Sequence, residues 1–335
     1  MMEKFRIRSC RFFNSSTFIF LFLFGYSIYY NIRKVTFTSL EKACHIPFHL
    51  CYNKNKYIYR NENAMIKLIA LDMDGTLLNS QKEIPQAHIQ AIHQAVEHGV
   101  KLVLCTGRPL VGVKPYYEQL GLSRDNEYVI INNGCSTHQT KDWKLVDWKE
   151  LSAEDMLYLD RIAKQTPAQL TLFDEERYLV VDEKPSDLVT YDASLVFTTP
   201  TEISLEEAIS GKNIIFQAMF LAQPNELDTF EKQFGSQISQ RFSGVRSQPV
   251  IYEAMPKGTT KATALKQLAQ HLEIEPQEIM ALGDANNDIE MIQFAGLGVA
   301  MGNSSDHVKK LANYVTDTND ANGVATAIEK FILNQ

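Results

Sequence analysis

Cysteine, tryptophan and long apolar runs are all scarce in this sequence, and each shortage excludes something. Five cysteines among 335 residues (Cys10, Cys44, Cys51, Cys105 and Cys135) suit neither a dense disulfide framework nor a zinc site. Free thiols in a reducing compartment are expected. The longest aromatic and aliphatic run, Phe18 to Tyr30, is too short for a membrane span, which needs about 20 residues. A basic excess is missing from the bulk of the chain. Residues 65–335 carry 23 Lys+Arg against 37 Asp+Glu, which argues against a nucleic-acid partner. A small phosphate, which needs only a local pocket, remains admissible.

The first 64 residues are chemically different. They hold ten Lys+Arg, three Asp+Glu and no Asp, with nine Phe and six Tyr. Lys4, Arg6, Arg8 and Arg11 precede the apolar run as in a secretory signal, but no small-residue cleavage site follows. Met65 stands immediately before the first recognisable strand. Residues 1–64 are therefore expected to be an extension outside the folded enzyme, read through from an upstream start, with a short membrane anchor as the competing reading.

From Met65 onward, buried strands alternate with helices. "IKLIALD" is a short apolar run without alternation, the pattern of a strand covered on both faces. Pro85 to Gly99 reads as a helix, with Ile89, Ile92 and Val96 at helical spacing and Gly99 as its stop. "VKLVLCTGRP" and "EYVIINNG" give two more strands. Such alternation predicts a parallel sheet. Between about Trp148 and Ala254 the rhythm changes to several strands and a few helices, as an inserted α+β domain would show. The alternation then resumes with a helix at Thr259–His271 and the strand "EIMALGD". The expected domains are a core of residues 65–147 and 255–335 and an insert of residues 148–254.

Three predicted strand ends carry unusual polar residues: Asp72 with Asp74, Thr106 with Gly107, and Asp284. Ligands in open α/β sheets sit at such ends. Two or three carboxylates at one point repel each other unless a cation lies among them, and hard oxygen ligands suit Mg²⁺. A carboxylate there can attack phosphorus, and a second can move protons. A hydroxyl, backbone N–H groups and a lysine can hold the phosphoryl oxygens. Other polar residues have simpler readings. Asn132 and Asn133 read as turn formers before Gly134. His88, His93 and His98 recur every five residues and do not share a helix face. Trp143 and Trp148 read as packing groups rather than sugar platforms.

At these residues the chain resembles the haloacid-dehalogenase-like (HAD) hydrolase superfamily. "LDMDGTLL", "LCTGRP", Lys261 in "PKGTTKATAL" and "GDANNDIEM" match its four motifs in order. The insert places it in the Cof-type branch, and "TGRPLVGV", "NNG" and "MALGDANNDIEMIQFAGLGVAMGN" look most like the sugar phosphatases of the YidA type. The resemblance covers about Met65 to Asn334. It implies an α/β fold, a Rossmann-like parallel-sheet core with an inserted α+β cap domain that sets specificity.

The resemblance also implies roles. Asp72 would be the nucleophile and a Mg²⁺ ligand. Asp74 would be the general acid/base, reaching the metal through its backbone carbonyl. Thr106 and Gly107 would bind the transferring phosphoryl group. Lys261 would neutralise charge on the phosphoryl group and on Asp72. Asp284 would be the remaining metal ligand, Asn287 would lie near the substrate, and Asp288 would support Lys261. Ala262 stands where the family often has Gly, and Lys257 is a second "PKG" lysine, but the spacing to the following helix favours Lys261. The expected activity is a cytoplasmic, Mg²⁺-dependent phosphatase of small phosphorylated metabolites, chiefly sugar phosphates, with a second copy of the chain as a candidate partner. A phosphomutase, a nucleotide or cofactor phosphatase and a non-catalytic phosphosugar sensor are the alternatives.

Overall fold

The computed structural model describes residues 65–122 and 127–334, together with the backbone of five short strands nearer the start. Those strands are Ile7–Phe13, Thr17–Phe24 and Tyr26–Tyr29, which pair as an antiparallel sheet, and the hairpin Tyr52–Asn53 with Lys56–Tyr57. They belong to a unit of their own, Met1–Arg60, separate from the unit Asn61–Gln335. The reading of residues 1–64 as an extension falls for the most part outside the described residues. Among the described residues, no helix is long and apolar enough to cross a membrane.

The larger unit is mixed α/β. Its strands and helices are numbered here from Leu68. The first sheet holds β1 (Leu68–Leu71), β2 (Lys101–Cys105), β3 (Tyr128–Ile131), β4 (Ser136–Gln139), β5 (Leu145–Trp148), β12 (Ile279–Gly283), β13 (Leu297–Ala300) and β14 (Tyr314–Val315). Their order is β5-β4-β3-β2-β1-β12-β13-β14. The six strands from β3 to β14 are parallel, whereas β4 and β5 form an antiparallel hairpin at one edge. That hairpin is absent from the sequence reading because its polar strand "STHQ" shows no apolar run.

Both faces of the parallel strands other than the short edge strand β14 are covered, which is why they read as unbroken apolar runs. One face meets α1 (Gln86–Glu97), α2 (Lys114–Leu120) and α10 (Gly323–Ile328) through a cluster that includes Ile69, Leu71, Ile92, Leu104, Tyr117 and Ile328. The other meets α7 (Lys261–His271) and α8 (Ile289–Phe294) through Leu68, Val103, Ile130, Leu265 and Met291. The methyl of Ala262, in place of the family's usual glycine, packs into this second cluster.

The insert forms a second sheet in the order β8-β7-β6-β9-β11-β10. Its strands are β6 (Gln169–Phe173), β7 (Tyr178–Val181), β8 (Thr201–Ile203), β9 (Gln217–Leu221), β10 (Phe242–Gln248) and β11 (Ile251–Pro256). Helices α3 (Ala153–Ala163) and α6 (Pro224–Arg241), with the short α5 (Leu205–Ala208), share a core with one face, where Leu172, Phe220, Phe230 and Ile238 meet. Helix α4 (Asp187–Leu195) packs on the other face through Val189, Ala193 and Met219. The sequence reading ends the helix of "NELDTFEKQFG" too early and overlooks β10. Here α6 runs on to Arg241, and β10 pairs with β11 around a two-residue connection. The short helix α9 (Asp306–Leu311) links β13 to β14.

Candidate active site

The strands β1, β2 and β12 lie side by side at the centre of the first sheet, so their carboxyl ends converge. Asp72 follows β1 directly, and its N–H donates to Leu282 O of β12 at 3.0 Å. The chain then turns tightly at Gly75. Its φ is +79°, and a Cβ there would come within 2.5 Å of Asp284 Oδ2. Only glycine meets both demands, the left-handed backbone and the close approach. Thr76 Oγ1 donates to Asp284 Oδ1 at 3.2 Å, linking the β1 turn to the end of β12.

Lys261 is 1% exposed, and its ammonium donates to Asp72 Oδ1 and Asp288 Oδ1, both at 2.7 Å. It is the first residue of α7, whose Thr260 cap forms a reciprocal pair with Thr263. A cation at a helix N-terminus opposes the macrodipole, so the two carboxylates hold it there against a local penalty. Asp288 is fully committed: its other oxygen accepts from the Asp284 and Ala285 N–H groups at 3.0 Å each. The expected partnership of Asp288 with Lys261 is thus present. Lys257 is exposed and donates to the Ser239 carbonyl, so the two candidate lysines separate cleanly.

Asp72, Asp284 and Asp288 can each bring a carboxylate oxygen within 4.8 Å of the other two. Burial lifts Asp72 well above the ordinary carboxylate range, the charge of Asp288 adds to this, and Lys261 opposes it. Burial and Asp288 push Asp284 up to about 7. Lys261 is raised because Asp288 and Asp72 outweigh the burial that would lower it. One ammonium among three carboxylates leaves a deficit of positive charge, and the oxygen-only donor set fits a hard divalent cation. Asp72 Oδ2 and the Asp284 carboxylate, which among the described residues accepts only from Thr76 Oγ1 at 3.2 Å and Asn303 Nδ2 at 3.5 Å, are the oxygens that would face one.

Asp74 stands apart from this group. Its carboxylate takes Arg108 Nε on Oδ2 at 2.6 Å and Arg108 Nη2 on Oδ1 at 2.8 Å, with Lys82 Nζ on Oδ1 at 2.7 Å. Burial raises its pKa, but the Arg108 hydrogen bonds and charge, helped by Lys82, hold it well below the usual range. Arg108 also donates to Leu195 O at the end of α4 at 2.9 Å and lies over the Tyr116 ring, so it ties the core to the insert. Sequence reasoning missed Arg108 and Lys82 as site residues. The arginine of "TGRP" was the available signal, whereas nothing in the sequence places Lys82 near Asp74.

Thr106, 1% exposed, accepts from the Arg108 N–H on Oγ1 at 3.2 Å. Asn287 Nδ2 donates to Asn133 Oδ1 at 2.9 Å, and Asn133 Nδ2 donates to Gln217 Oε1 on β9 at 3.2 Å. Gln217 Nε2 in turn donates to Gly107 O at 3.2 Å. Asn133 is therefore more than a turn former. It is buried, holds a left-handed φ of 54° and bridges core and insert. Asn132 is also buried and left-handed, and it donates to Ser136.

Asp72, Asp74, Thr106, Gly107, Asp284 and Asn287 all border one cavity of about 310 Å³. The insert closes its far side with Phe173, Asp192, Met219, Ile251 and Glu253 among others. The histidines lie elsewhere, bonded to the carbonyls of Leu77, Leu120 and Gln94. Trp143 packs edge-on against Tyr117, and neither it nor Trp148 lines the cavity.

Comparison with known proteins agrees with this geometry. Residues 69–328 match the family described as haloacid dehalogenase-like hydrolase. YxeH of Bacillus subtilis is 35% identical over 269 residues, covering 80% of this chain and 99% of its own. The 5-amino-6-(5-phospho-D-ribitylamino)uracil phosphatase YcsE of the same organism is 32% identical over 282 residues, covering 82% and 99%. The crystal structure of a haloacid dehalogenase-like hydrolase from Bacteroides thetaiotaomicron superposes with a TM-score of 0.71 at 30% identity, over 79% of this chain and 99% of the other. A model match over most of the chain and relatives aligned along nearly their whole length lead to one assignment: the chain belongs to the haloacid dehalogenase-like hydrolases, and it is a phosphatase of that family.

Proposed function

We propose that the chain is a Mg²⁺-dependent phosphatase of small phosphorylated metabolites, chiefly sugar phosphates, working through an aspartyl phosphate on Asp72. The observation that carries this is the group of Asp72, Asp284, Asp288 and Lys261, gathered at the adjoining ends of β1 and β12 and the start of α7, beside a cavity large enough for a small metabolite. Asp72, the Asp74 backbone carbonyl and Asp284 would hold the metal, which supplies positive charge to the phosphoryl oxygens and to the crowded carboxylates.

The residues then divide the work. Lys261 holds Asp72 Oδ1 and opposes the rise that burial and Asp288 impose on this carboxyl, which leaves Oδ2 to act as the nucleophile. Thr106 and Gly107, at the end of β2, offer a hydroxyl and backbone to the phosphoryl group. Asp288 fixes Lys261. Asn287, tied to Asn133, holds its place at the cavity wall. Asp74 is the general acid/base. In the observed arrangement it is an anion locked by Arg108 and Lys82, which makes it a poor proton donor. Substrate entry must therefore exchange its partners before it can protonate the leaving oxygen. Arg108 also binds Leu195 O of the insert, so this exchange is coupled to how the insert, read here as a cap, sits over the site. The acidic surface and phosphorylated substrates fit a cytoplasmic setting.

A relative that acts on a ribityl phosphate favours a polyol phosphate monoester here too. The test is a phosphate-release screen over phosphorylated metabolites with Mg²⁺ or with EDTA, on wild type and Asp72→Asn. Wild type with Mg²⁺ is expected to release phosphate and to retain labelled phosphate after a rapid acid quench. The variant should do neither. Release by Asp72→Asn at the wild-type rate would remove Asp72 as nucleophile.

A further inference from the structure

The insert side of the cavity has an unusual electrostatic character. Glu253 on β11 borders the cavity but is only 4% exposed, and its Oε2 accepts no hydrogen bond. A buried carboxyl oxygen without a donor is costly, and it is the kind of group that a ligand satisfies. The carboxyl lies against the Thr106-Gly107 turn, with Oε1 3.3 Å from where a Cβ on Gly107 would stand. Asp192 on α4 borders the same cavity and accepts from the Tyr178 hydroxyl at 2.9 Å. Among the described residues, no lysine, arginine or histidine of the insert lines this space. The core cations at its edge, Arg108 and Lys82, are both held by Asp74.

We propose that Glu253 and Asp192 form a leaving-group wall that selects monoesters with a neutral or cationic, donor-rich leaving group, such as a polyol or amino sugar, over esters carrying a second phosphate. This rests on the sugar-phosphatase reading above and narrows it. A hydroxyl or ammonium group donates into Glu253 and relieves its unmet acceptor. A second phosphate brings a dianion against two carboxyls, with no cation on that wall to receive it. Burial pushes Glu253 up to about 7 against the opposing effect of Ser247, Asn133 and Lys261, and Asp192 adds to the rise. Phe173, Met219 and Ile251 border the same cavity and supply apolar surface suited to the C–H face of a sugar.

The test uses the full chain with Mg²⁺ and three probes: p-nitrophenyl phosphate, glucose 6-phosphate and glucose 1,6-bisphosphate. Wild type is expected to favour the monophosphate over the bisphosphate by about 10-fold or more in kcat/KM. Glu253→Ala should lower the ratio of glucose 6-phosphate to p-nitrophenyl phosphate by about 10-fold, mainly through KM. The near-isosteric Glu253→Gln guards against a folding defect. Combined with Asp192→Asn, it should raise the bisphosphate-to-monophosphate ratio by about 10-fold. The inference is overturned if wild type takes the bisphosphate as readily as the monophosphate, if it turns over p-nitrophenyl phosphate alone, or if both ratios stay unchanged in the variants. Release from no probe at all would overturn the sugar-phosphatase reading itself, a distinct result.

Discussion

Lys261→Met is the most informative single change to this protein. The ammonium touches Asp72 and Asp288 at 2.7 Å each and is 1% exposed. At an effective dielectric of about 20, each such contact contributes roughly 6 kcal/mol of gross attraction. Desolvation of three charged groups offsets most of that. What remains on removing one partner is the cost of stranding the others, about 3–5 kcal/mol. The cost depends on pH. Without Lys261, burial and mutual repulsion raise the acids further in the folded state, so the folded protein binds protons that the unfolded chain releases. Stability of the variant is therefore retained at low pH and lost as pH rises through the interval between the unfolded value of 3.8 and the raised folded values, already about 7 for Asp284. Urea denaturation in EDTA should show a small gap from wild type at pH 5 and a gap of about 3–5 kcal/mol at pH 8. Phosphate release with Mg²⁺ should fall by at least about 100-fold, as for loss of a donor to a developing oxyanion. Lys257→Met, at the exposed neighbour, should stay within about 0.5 kcal/mol of wild type. A Lys261→Met protein with wild-type stability at pH 8 and undiminished turnover would refute the reasoning.

Gly75→Ala should cost about 2–4 kcal/mol and abolish turnover in the same release assay, because a methyl at φ +79° would also strike Asp284 at 2.5 Å. Asn133→Ala should cost about 2–3 kcal/mol in urea denaturation, since it strands both Asn287 and Gln217 and keeps a left-handed backbone; Asn133→Gly, which relieves the backbone, should cost less. Glu127 is buried with an unpartnered Oε2, and burial lifts it from 4.5 to about 7. Its contribution to stability is thus intact below pH 4.5, lost as pH rises through that window, and stays lost above pH 7. Glu127→Gln is expected to gain about 1–3 kcal/mol over wild type at pH 8 and almost nothing at pH 4, by denaturation at the two pH values.

The parallel core was legible because its strands, except the short edge strand β14, are buried on both faces and end in a turn signal. "IKLIALD" and "EIMALGD" show this well: four or five apolar residues, then the carboxylate. The buried but polar strand β4 and the polar edge strand β10 carry no such run, so only pairing with their neighbours makes them strands. The insert was visible as a change of rhythm, but its strand order depends on contacts between distant segments. At the site, Asp72, Thr106, Lys261, Asp284 and Asp288 were all named in advance, because the order and spacing of four short motifs identify them. Asn133 was undervalued: its buried bridge joins Asn287 and Gln217, which lie 154 and 84 residues away.

The sequence by itself determined which residues end the central strands, and therefore which carboxylates and which lysine meet. Strand period and register leave no other place for Asp72 and Asp284 once β1 and β12 pair. Tertiary structure alone decided the rest. Arg108 and Lys82 lock Asp74, and Glu253 and Asp192 face the cavity without an insert cation beside them. Those facts arise where the insert meets the core, between side chains that share neither an element nor a local pattern.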